Sequence, residues 1–173
     1  MKPSKINVVK AKLTKWLLSS FKAITLFGTI YTKKQAVVDE INRSDEIDST
    51  LKSHETIHVR QAQGMHNSWC LFYLKYGWQW LMNLPLITVR STAPYKFIPI
   101  ELEAYANETD YSYCMNGAVY EWKKFKKIPL KRKKAYAKEY YAQKELTFNE
   151  FINQIIIPSQ LPTPKGRGLD HNH

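Results

Sequence analysis

The pattern of hydrophobic and polar positions predicts a short β-rich stretch followed by several helices. Residues 21–38 combine β-branched and aromatic side chains around Gly28, a composition typical of one or two short strands. Polar residues 42–50 predict a loop or helix start, and from Leu51 to about His66 the apolar positions follow a helical period. The pattern therefore predicts a mostly helical α+β fold, with a short N-terminal β-sheet before the first long helix.

Helices are predicted for most of the remaining chain. Residues 84–99 contain three prolines and are expected to form a connection. Thr147 and Glu150 form the pattern of a capping box, which predicts a short last helix reaching about Ile157. Apolar periodicity and the positions of prolines predict four other helices, over residues 68–83, 100–115, 117–127 and 131–145.

The length of 173 residues fits one domain with appended ends. We expect a basic arm over residues 1–20, the domain over 21–157, including a basic helical region at 117–145, and a Pro- and Gly-rich tail over 158–173. The apolar content of 44% excludes a collagen-like or wholly disordered chain. The formal net charge of +11 favours an anionic partner, such as nucleic acid, a membrane surface or an acidic protein face.

Two cysteines, Cys70 and Cys114, are too few for a disulfide framework, so free thiols in a reducing compartment are expected.

The sequence carries no clear targeting signal. The apolar run at 16–31 begins late and contains Lys22, unlike a signal peptide. The aromatic segment 69–87 is interrupted by polar residues, which favours a core-forming helix over a membrane span, with membrane-surface contact as a minor alternative. We expect a cytoplasmic location, or a place within a phage or protein assembly.

The strongest chemical signal is the motif HExxH, formed by His54, Glu55 and His58. Residues four apart share one helix face, so both imidazoles can bind one Zn²⁺. Glu55 stands beside the first ligand and can reach a water on the metal as a general base. In a chain with five histidines, chance gives only about 0.01 such matches. The motif therefore predicts a zinc site.

A catalytic zinc needs a third protein ligand and an open position. His66 lies two helical turns beyond His58 and cannot close the site unless the chain turns at Gly64. The acidic residues Glu101 and Glu103 on the predicted helix 100–115 are better third ligands.

The segments HETIHVRQ and IPIELEAYANETD resemble the gluzincin-type zincins, and in particular small bacterial and phage zincin-like metallopeptidases. These proteins carry HExxHxxQ, then an aromatic helix, then Glu-x-Glu-Ala. The resemblance covers about residues 24–115 and implies a zincin-like domain, a Zn²⁺ cofactor and hydrolysis of peptide bonds. It also implies that a peptide or protein substrate lies along an edge strand within 21–38.

The same resemblance implies roles for residues around the motif. In membrane-anchored and heat-shock gluzincins, the ligand is the first glutamate of Glu-x-x-Ala-Asp, which corresponds to Glu101, with Glu103 as the alternative. The orienting aspartate of those families falls at Tyr105, so the chain departs from the pattern there. The expected supporting residues are then Gln61, which matches the HxxQ pattern, and one of Asp110, Asn107 or Glu103. The candidates for polarising a substrate carbonyl are Tyr105, Tyr111 and Tyr113.

The segment Lys123–Lys134, KKFKKIPLKRKK, holds eight basic residues among twelve and none that is acidic. It can contact phosphates or another anionic surface, but no base-reading motif accompanies it, so sequence-specific DNA binding is not expected. The leading hypothesis is a zinc metallopeptidase. The alternative is a structural or assembly protein, such as a phage virion component, that retains a zincin fold. A weaker third hypothesis places such a protein on a membrane surface or nucleic acid through the basic segment.

Overall fold

The structure is a computed structural model. The part of the chain that it describes contains a small sheet and eight α-helices. That part comprises residues 7–10, 23–27, 29–116 and 121–160. The chain is thus mostly helical with a short N-terminal sheet, as the sequence predicts. The remainder of the predicted basic arm and the tail beyond residue 160 lie outside the described residues.

The sheet contains β1 (Asn7–Lys10), β2 (Ala23–Leu26) and β3 (Thr29–Thr32) in the order β1-β3-β2. β1 is parallel to β3, whereas β2 is antiparallel to it. β1 lies within the predicted basic arm over 1–20, and its two central valines suit a strand that pairs with β3. Among the described strands, β2 forms an edge of the sheet.

The first helix, α1 (Gln35–Asn42), occupies the end of the stretch that the sequence predicted as strand. That prediction is wrong for residues 35–38. Val37 and Ile41 are one turn apart, and both are buried in a small cluster with Ile30 of β3. Burial of one helical face against the sheet decides the conformation of this segment.

Two fifteen-residue helices follow. They are α2 (Thr50–Gly64), whose N-cap Ser49 accepts from the backbone N–H of Lys52, and α3 (Trp69–Asn83), capped in the same way by Ser68. Between them the chain reverses through two residues with positive φ, 58° at His66 and 55° at Asn67. Both helices agree with their predicted ranges to within two residues.

The second half of the chain consists of shorter helices. The predicted helix 100–115 is too long, because α5 ends at Asn107 and an irregular turn separates it from a 3₁₀ turn at Tyr113–Asn116. Of the predicted helix 117–127, residues 117–120 lie outside the described residues, and the described remainder contains one helical turn over Trp122–Phe125. The helices are α4 (Ala93–Lys96), α5 (Pro99–Asn107), α6 (Trp122–Phe125), α7 (Leu130–Ala142) and α8 (Phe148–Phe151).

Local sequence signals fix several ends of these helices. Pro99 opens α5 and Pro129 precedes α7. Thr147 and Glu150 form the predicted capping box at α8, which continues as a π-helical turn over Ile152–Ile156. A 3₁₀ turn over Leu84–Thr88 connects α3 to the residues before α4.

Helix α5 is central to the packing, because it contacts α2 as well as α6 and α8. Its residues Leu102 and Ala106 belong to the largest apolar cluster, which continues into α7 and α8. We call this cluster the C-terminal core; its fully buried aromatic and aliphatic members include Phe97, Phe125, Phe151, Ile152 and Ile156.

The aromatic helix α3 is buried on one face only. Phe72 is buried, but Trp78 and Trp80 are exposed, so the prediction that the aromatic residues of this helix form the core is wrong for these two. Cys70 is an exposed free thiol and Cys114 a buried one. No helix within the described ranges combines the length and the apolar character that a membrane span requires.

Candidate metal centre

Helices α2 and α5 bring three predicted ligands together. His54 and His58 stand one turn apart on α2, and Glu101 faces them from the first turn of α5. The distance from His54 Nε2 to Glu101 Oε2 is 3.4 Å, and that from His58 Nε2 to Glu101 Oε1 is 3.3 Å. All three side chains are buried, and one ligand atom from each lies within 4.8 Å of the others. This group can hold a metal ion.

The spacing of these atoms tests whether a metal fits. Zinc ligands lie about 2.0–2.1 Å from the ion in a tetrahedron, so the edges of that tetrahedron are about 3.3 Å long. Each of the two nitrogen–oxygen distances, one to each oxygen of Glu101, is close to the length of such an edge. Glu101 Oε2 is buried and has no hydrogen-bond partner within the described part of the chain. An ion would provide the partner that this oxygen lacks.

The far nitrogen of each imidazole is held by an acceptor. His54 Nδ1 donates to Glu108 Oε2 at 2.8 Å, and His58 Nδ1 donates to Gln61 Oε1 at 2.8 Å. These bonds place a proton on each Nδ1, so Nε2 is the atom that each ring turns toward the shared site and can offer to a metal. Metal-binding histidines are typically oriented in this way.

Gln61 is oriented by Glu103. The amide nitrogen of Gln61 donates to Glu103 Oε2 at 2.6 Å and to the carbonyl of Ile100 at 3.0 Å, which leaves its oxygen to face His58. Glu103 Oε1 accepts from the hydroxyl of Tyr113 at 3.0 Å and from the backbone N–H of Glu121 at 2.7 Å. Both oxygens of Glu103 are thus engaged away from the histidines.

The structure thus places Glu101, and not the alternative Glu103, beside the two histidines. Both side chains contact α2, but residues two apart on a helix point in different directions, so Glu101 and Glu103 do not both point at His54 and His58. Glu101 takes that position, and Tyr76 supports it by donating to Glu101 Oε1 at 2.8 Å.

The charges of the metal-free group are strongly coupled. Burial lowers the pKa of His54, but the adjacent carboxylates of Glu101 and Glu108 outweigh burial and raise it to about 10. Burial opposes ionisation of Glu101 as well, yet His58 and His54 hold its pKa well below the usual range. The pocket therefore favours one carboxylate beside positive charge, which a divalent cation can supply in place of protons.

Glu55 points from α2 toward the sheet. Its Oε2 accepts a hydrogen bond from the hydroxyl of Thr25 on the edge strand β2. A cleft of about 880 Å³ opens at Glu55 and His54 and is also lined by Tyr95, Tyr105 and residues of both charge signs. The predicted base and one predicted ligand thus face the same open space.

The hydroxyl of Tyr73 on α3 bridges the outer edge of β2. It accepts from the backbone N–H of Phe27 at 2.8 Å and donates to the carbonyl of Thr25 at 3.2 Å. The Phe27 ring also packs edge-on against the Tyr73 ring, with centroids 5.2 Å apart. Two backbone groups on this edge are therefore engaged by one side chain of the same molecule.

Some of the other predicted residues lie near the metal-binding group, and the rest lie away from it. Tyr105 packs edge-on against His54 with centroids 4.5 Å apart, and both Tyr105 and Tyr111 line the cleft. Tyr113 is engaged by Glu103 and is not available to a substrate. The remaining candidates are placed elsewhere: His66 in the turn after α2, Asn107 on the carbonyl of Glu103, and Asp110 on Ser112.

The sequence analysis missed Glu108, the carboxylate that orients His54. The available signal was its position seven residues after Glu101, which places both on one side of a helix. The expected orienting groups Asp110 and Asn107 do not contact a histidine ring, and Glu103 acts on His58 only through Gln61.

No protein-family model, curated protein or solved structure matches this chain. Membership of the zincin-like metallopeptidases therefore stays a prediction based on the motifs. The geometry itself provides three close ligand residues and oriented imidazoles, without specifying which metal they bind.

Proposed function

We propose that this protein is a zinc-dependent metallopeptidase of zincin type, with zinc on His54, His58 and Glu101. The observation that carries the proposal is the buried group of His54, His58 and Glu101, in which each imidazole nitrogen lies 3.3 or 3.4 Å from one Glu101 oxygen, close to the edge length of a tetrahedral zinc site. Two histidines and one carboxylate are also the ligand set of catalytic zinc sites that keep a fourth position open.

When bound, zinc would act as a Lewis acid that lowers the pKa of water to about 7 and polarises a carbonyl. Glu55 accepts the proton of the attacking water and returns it to the leaving amine. The hydroxyl of Thr25 holds the Glu55 carboxylate in the cleft. Tyr105 is the predicted tyrosine best placed to contact a substrate carbonyl, because it touches His54 and lines the cleft.

The substrate is an extended peptide that lies beside β2. This edge strand carries Thr25, whose hydroxyl reaches Glu55, so a peptide paired with β2 would lie close to the metal centre. The cleft is lined by the cations Lys34 and Lys96 and by the acids Glu40 and Asp48. Because the charges in the cleft are mixed, they predict no preference for a positively or a negatively charged peptide.

The test begins with metal content, measured by inductively coupled plasma mass spectrometry on wild type and on His58→Ala and Glu101→Ala. We expect about one zinc per chain in wild type and loss of zinc in both variants. Cleavage of a mixed-peptide library, followed by mass spectrometry, then compares wild type with Glu55→Gln. We expect Glu55→Gln to retain zinc and to lose cleavage.

A matched control is Glu139→Gln, which makes the same change at an exposed position on α7 and should leave cleavage intact. A chain that takes up no zinc at neutral pH, even after reconstitution, would sink the proposal. If zinc binds and peptides are cleaved neither by wild type nor by Glu139→Gln, the site is a structural one. The alternative of an assembly protein with a retained zincin fold then takes its place.

A further inference from the structure

Helix α3 presents an apolar face to solvent. The exposed fractions are 66% for Leu74, 64% for Trp78, 49% for Leu81 and 54% for Met82, and their spacing places them on one side of the helix. Ile87 in the following 3₁₀ turn is 57% exposed and extends this surface. We call these five residues the outer stripe. The solvent side of a surface helix normally carries polar residues, so an apolar stripe of this size marks a contact surface.

Positive charge flanks the outer stripe along one side. Lys75 and Met82 are seven residues apart, and therefore nearly in line on α3. The ammonium groups of Lys75 and Lys126 both lie over the Trp122 ring, at 5.7 and 5.5 Å from its centroid. These contacts hold the beginning of the basic segment Lys123–Lys134 against the side of α3.

The same segment returns to α3 near the end of that helix. Lys133 is buried, and its ammonium group donates to Asn83 Oδ1 at 3.1 Å. The basic segment is thus fixed to α3 at two points, near residue 75 and at residue 83. Its other basic residues include the exposed Lys126, Lys127, Lys131 and Arg132.

We propose that the outer stripe and the basic segment form a docking surface for an anionic lipid bilayer, with α3 lying in the plane of the headgroups. Apolar residues with an exposed tryptophan enter the headgroup boundary, while neighbouring lysines bind anionic headgroups. Both features are present on adjacent elements. This inference goes beyond the proposed peptidase activity and does not depend on it.

The charge also argues against the other occupants of this surface. Two copies of a chain with net charge +11 that met through their outer stripes would bring two basic segments close together. A nucleic acid would satisfy the basic segment but would leave Trp78 and Met82 without a role. An anionic bilayer is complementary to both parts.

The test is flotation of the full chain with two kinds of vesicle, phosphatidylcholine alone and an equal mixture of phosphatidylcholine and phosphatidylserine. We expect binding to the anionic vesicles, little binding to the neutral ones, and release as salt is raised. Tryptophan fluorescence should shift to shorter wavelength on binding, because Trp78 leaves water. Glu55→Gln should bind vesicles as wild type does.

Variants separate the apolar and the charged contributions. Trp78→Ser should weaken binding to anionic vesicles about tenfold, and Met82→Ser by less. Met115→Ser is the matched control, because Met115 is 59% exposed on the turn at Tyr113–Asn116 and should leave binding unchanged. Lys126→Gln and Lys127→Gln should each weaken binding about fivefold at low salt.

Four results would overturn the proposal. They are equal binding to neutral and anionic vesicles, absence of binding, an unchanged affinity in a folded Trp78→Ser protein, and tighter binding to duplex DNA than to anionic vesicles at the same salt. Sedimentation velocity provides a further check. A dimer that Trp78→Ser dissociates would assign the outer stripe to self-association instead.

Discussion

The two sides of α5 are packed in opposite ways. Toward α2, Glu101 and Glu103 are buried among histidines, an amide and hydroxyl groups. On the other side, Leu102 and Ala106 belong to the apolar C-terminal core. Apolar burial stabilises without regard to direction, whereas a buried polar group is tolerated only when each atom has a partner. We therefore expect the C-terminal core to determine stability and the α2 side to determine metal affinity.

The largest expected effect comes from the C-terminal core. Phe151→Ala removes a ring that is fully buried there, and should lower the free energy of unfolding by about 3–5 kcal/mol. Urea denaturation of the zinc-loaded protein measures this loss. Zinc affinity of the folded variant should stay as in wild type. Phe27→Ala, at a ring that is 70% exposed, is the control and should cost much less. A large drop in zinc affinity for Phe151→Ala would break the division between the two sides.

The metal-free α2 side should respond to pH. The folded-state pKa of His54 is about 10, above its ordinary value of 6.5, so its stabilising contribution is complete below pH 6.5 and is lost as pH rises toward 10. Between pH 6.5 and 8, His54 alone should lower the free energy of unfolding by up to about 1.4 kcal/mol for each pH unit. His58 adds to this loss, because Glu101 outweighs burial and raises its pKa as well.

Above pH 8 the decline should lessen. Burial lowers the pKa of Lys133 to about 8, so this group adds stability as pH rises further. Urea denaturation in the presence of a chelator measures the trend, and the zinc-loaded protein is the control, because zinc replaces the proton on His54. Stability of the metal-free protein that stays level from pH 6.5 to 8 would contradict the prediction.

A smaller effect is expected from Glu108, which contacts the metal centre only through His54. Glu108→Gln keeps an acceptor oxygen but removes its charge, so zinc affinity should fall about tenfold, the lower end for such partners. Competition with a fluorescent zinc chelator measures this change. Glu139→Gln should leave the affinity unchanged. An unchanged affinity in Glu108→Gln would show that the hydrogen bond, rather than the charge, is what His54 requires.

Site residues close together in the sequence could be predicted, whereas those that come together only through helix packing could not. His54, Glu55 and His58 could be predicted because their shared face follows from helical spacing alone. Glu101 required the resemblance, since nothing in the α2 sequence specifies which residue of α5 faces it. Glu108 was missed because its role depends on how the two helices pack.

For the fold too, local features could be predicted from the sequence, whereas long-range contacts could not. The proline at Pro99 and the capping box at Thr147 predicted two helix starts from local sequence alone. β1 could not be predicted, because its parallel pairing with β3 joins residues far apart in the chain. The solvent-facing side of α3 could not be predicted either. Apolar residues surround this helix on most sides, so the sequence pattern does not show which of them are exposed to solvent.

The Tyr73 bridge sets a threshold for any strand that adds to the edge of β2. An incoming peptide must displace a phenol that belongs to the same molecule and already bonds two backbone groups. The phenol acts as a competitor at an effective concentration on the order of millimolar or more. Under the proposed function, weakly pairing peptides would be rejected, and a substrate would need side-chain contacts in the cleft before its backbone could replace Tyr73. Selection of substrate would thus begin with a competition inside the unliganded protein.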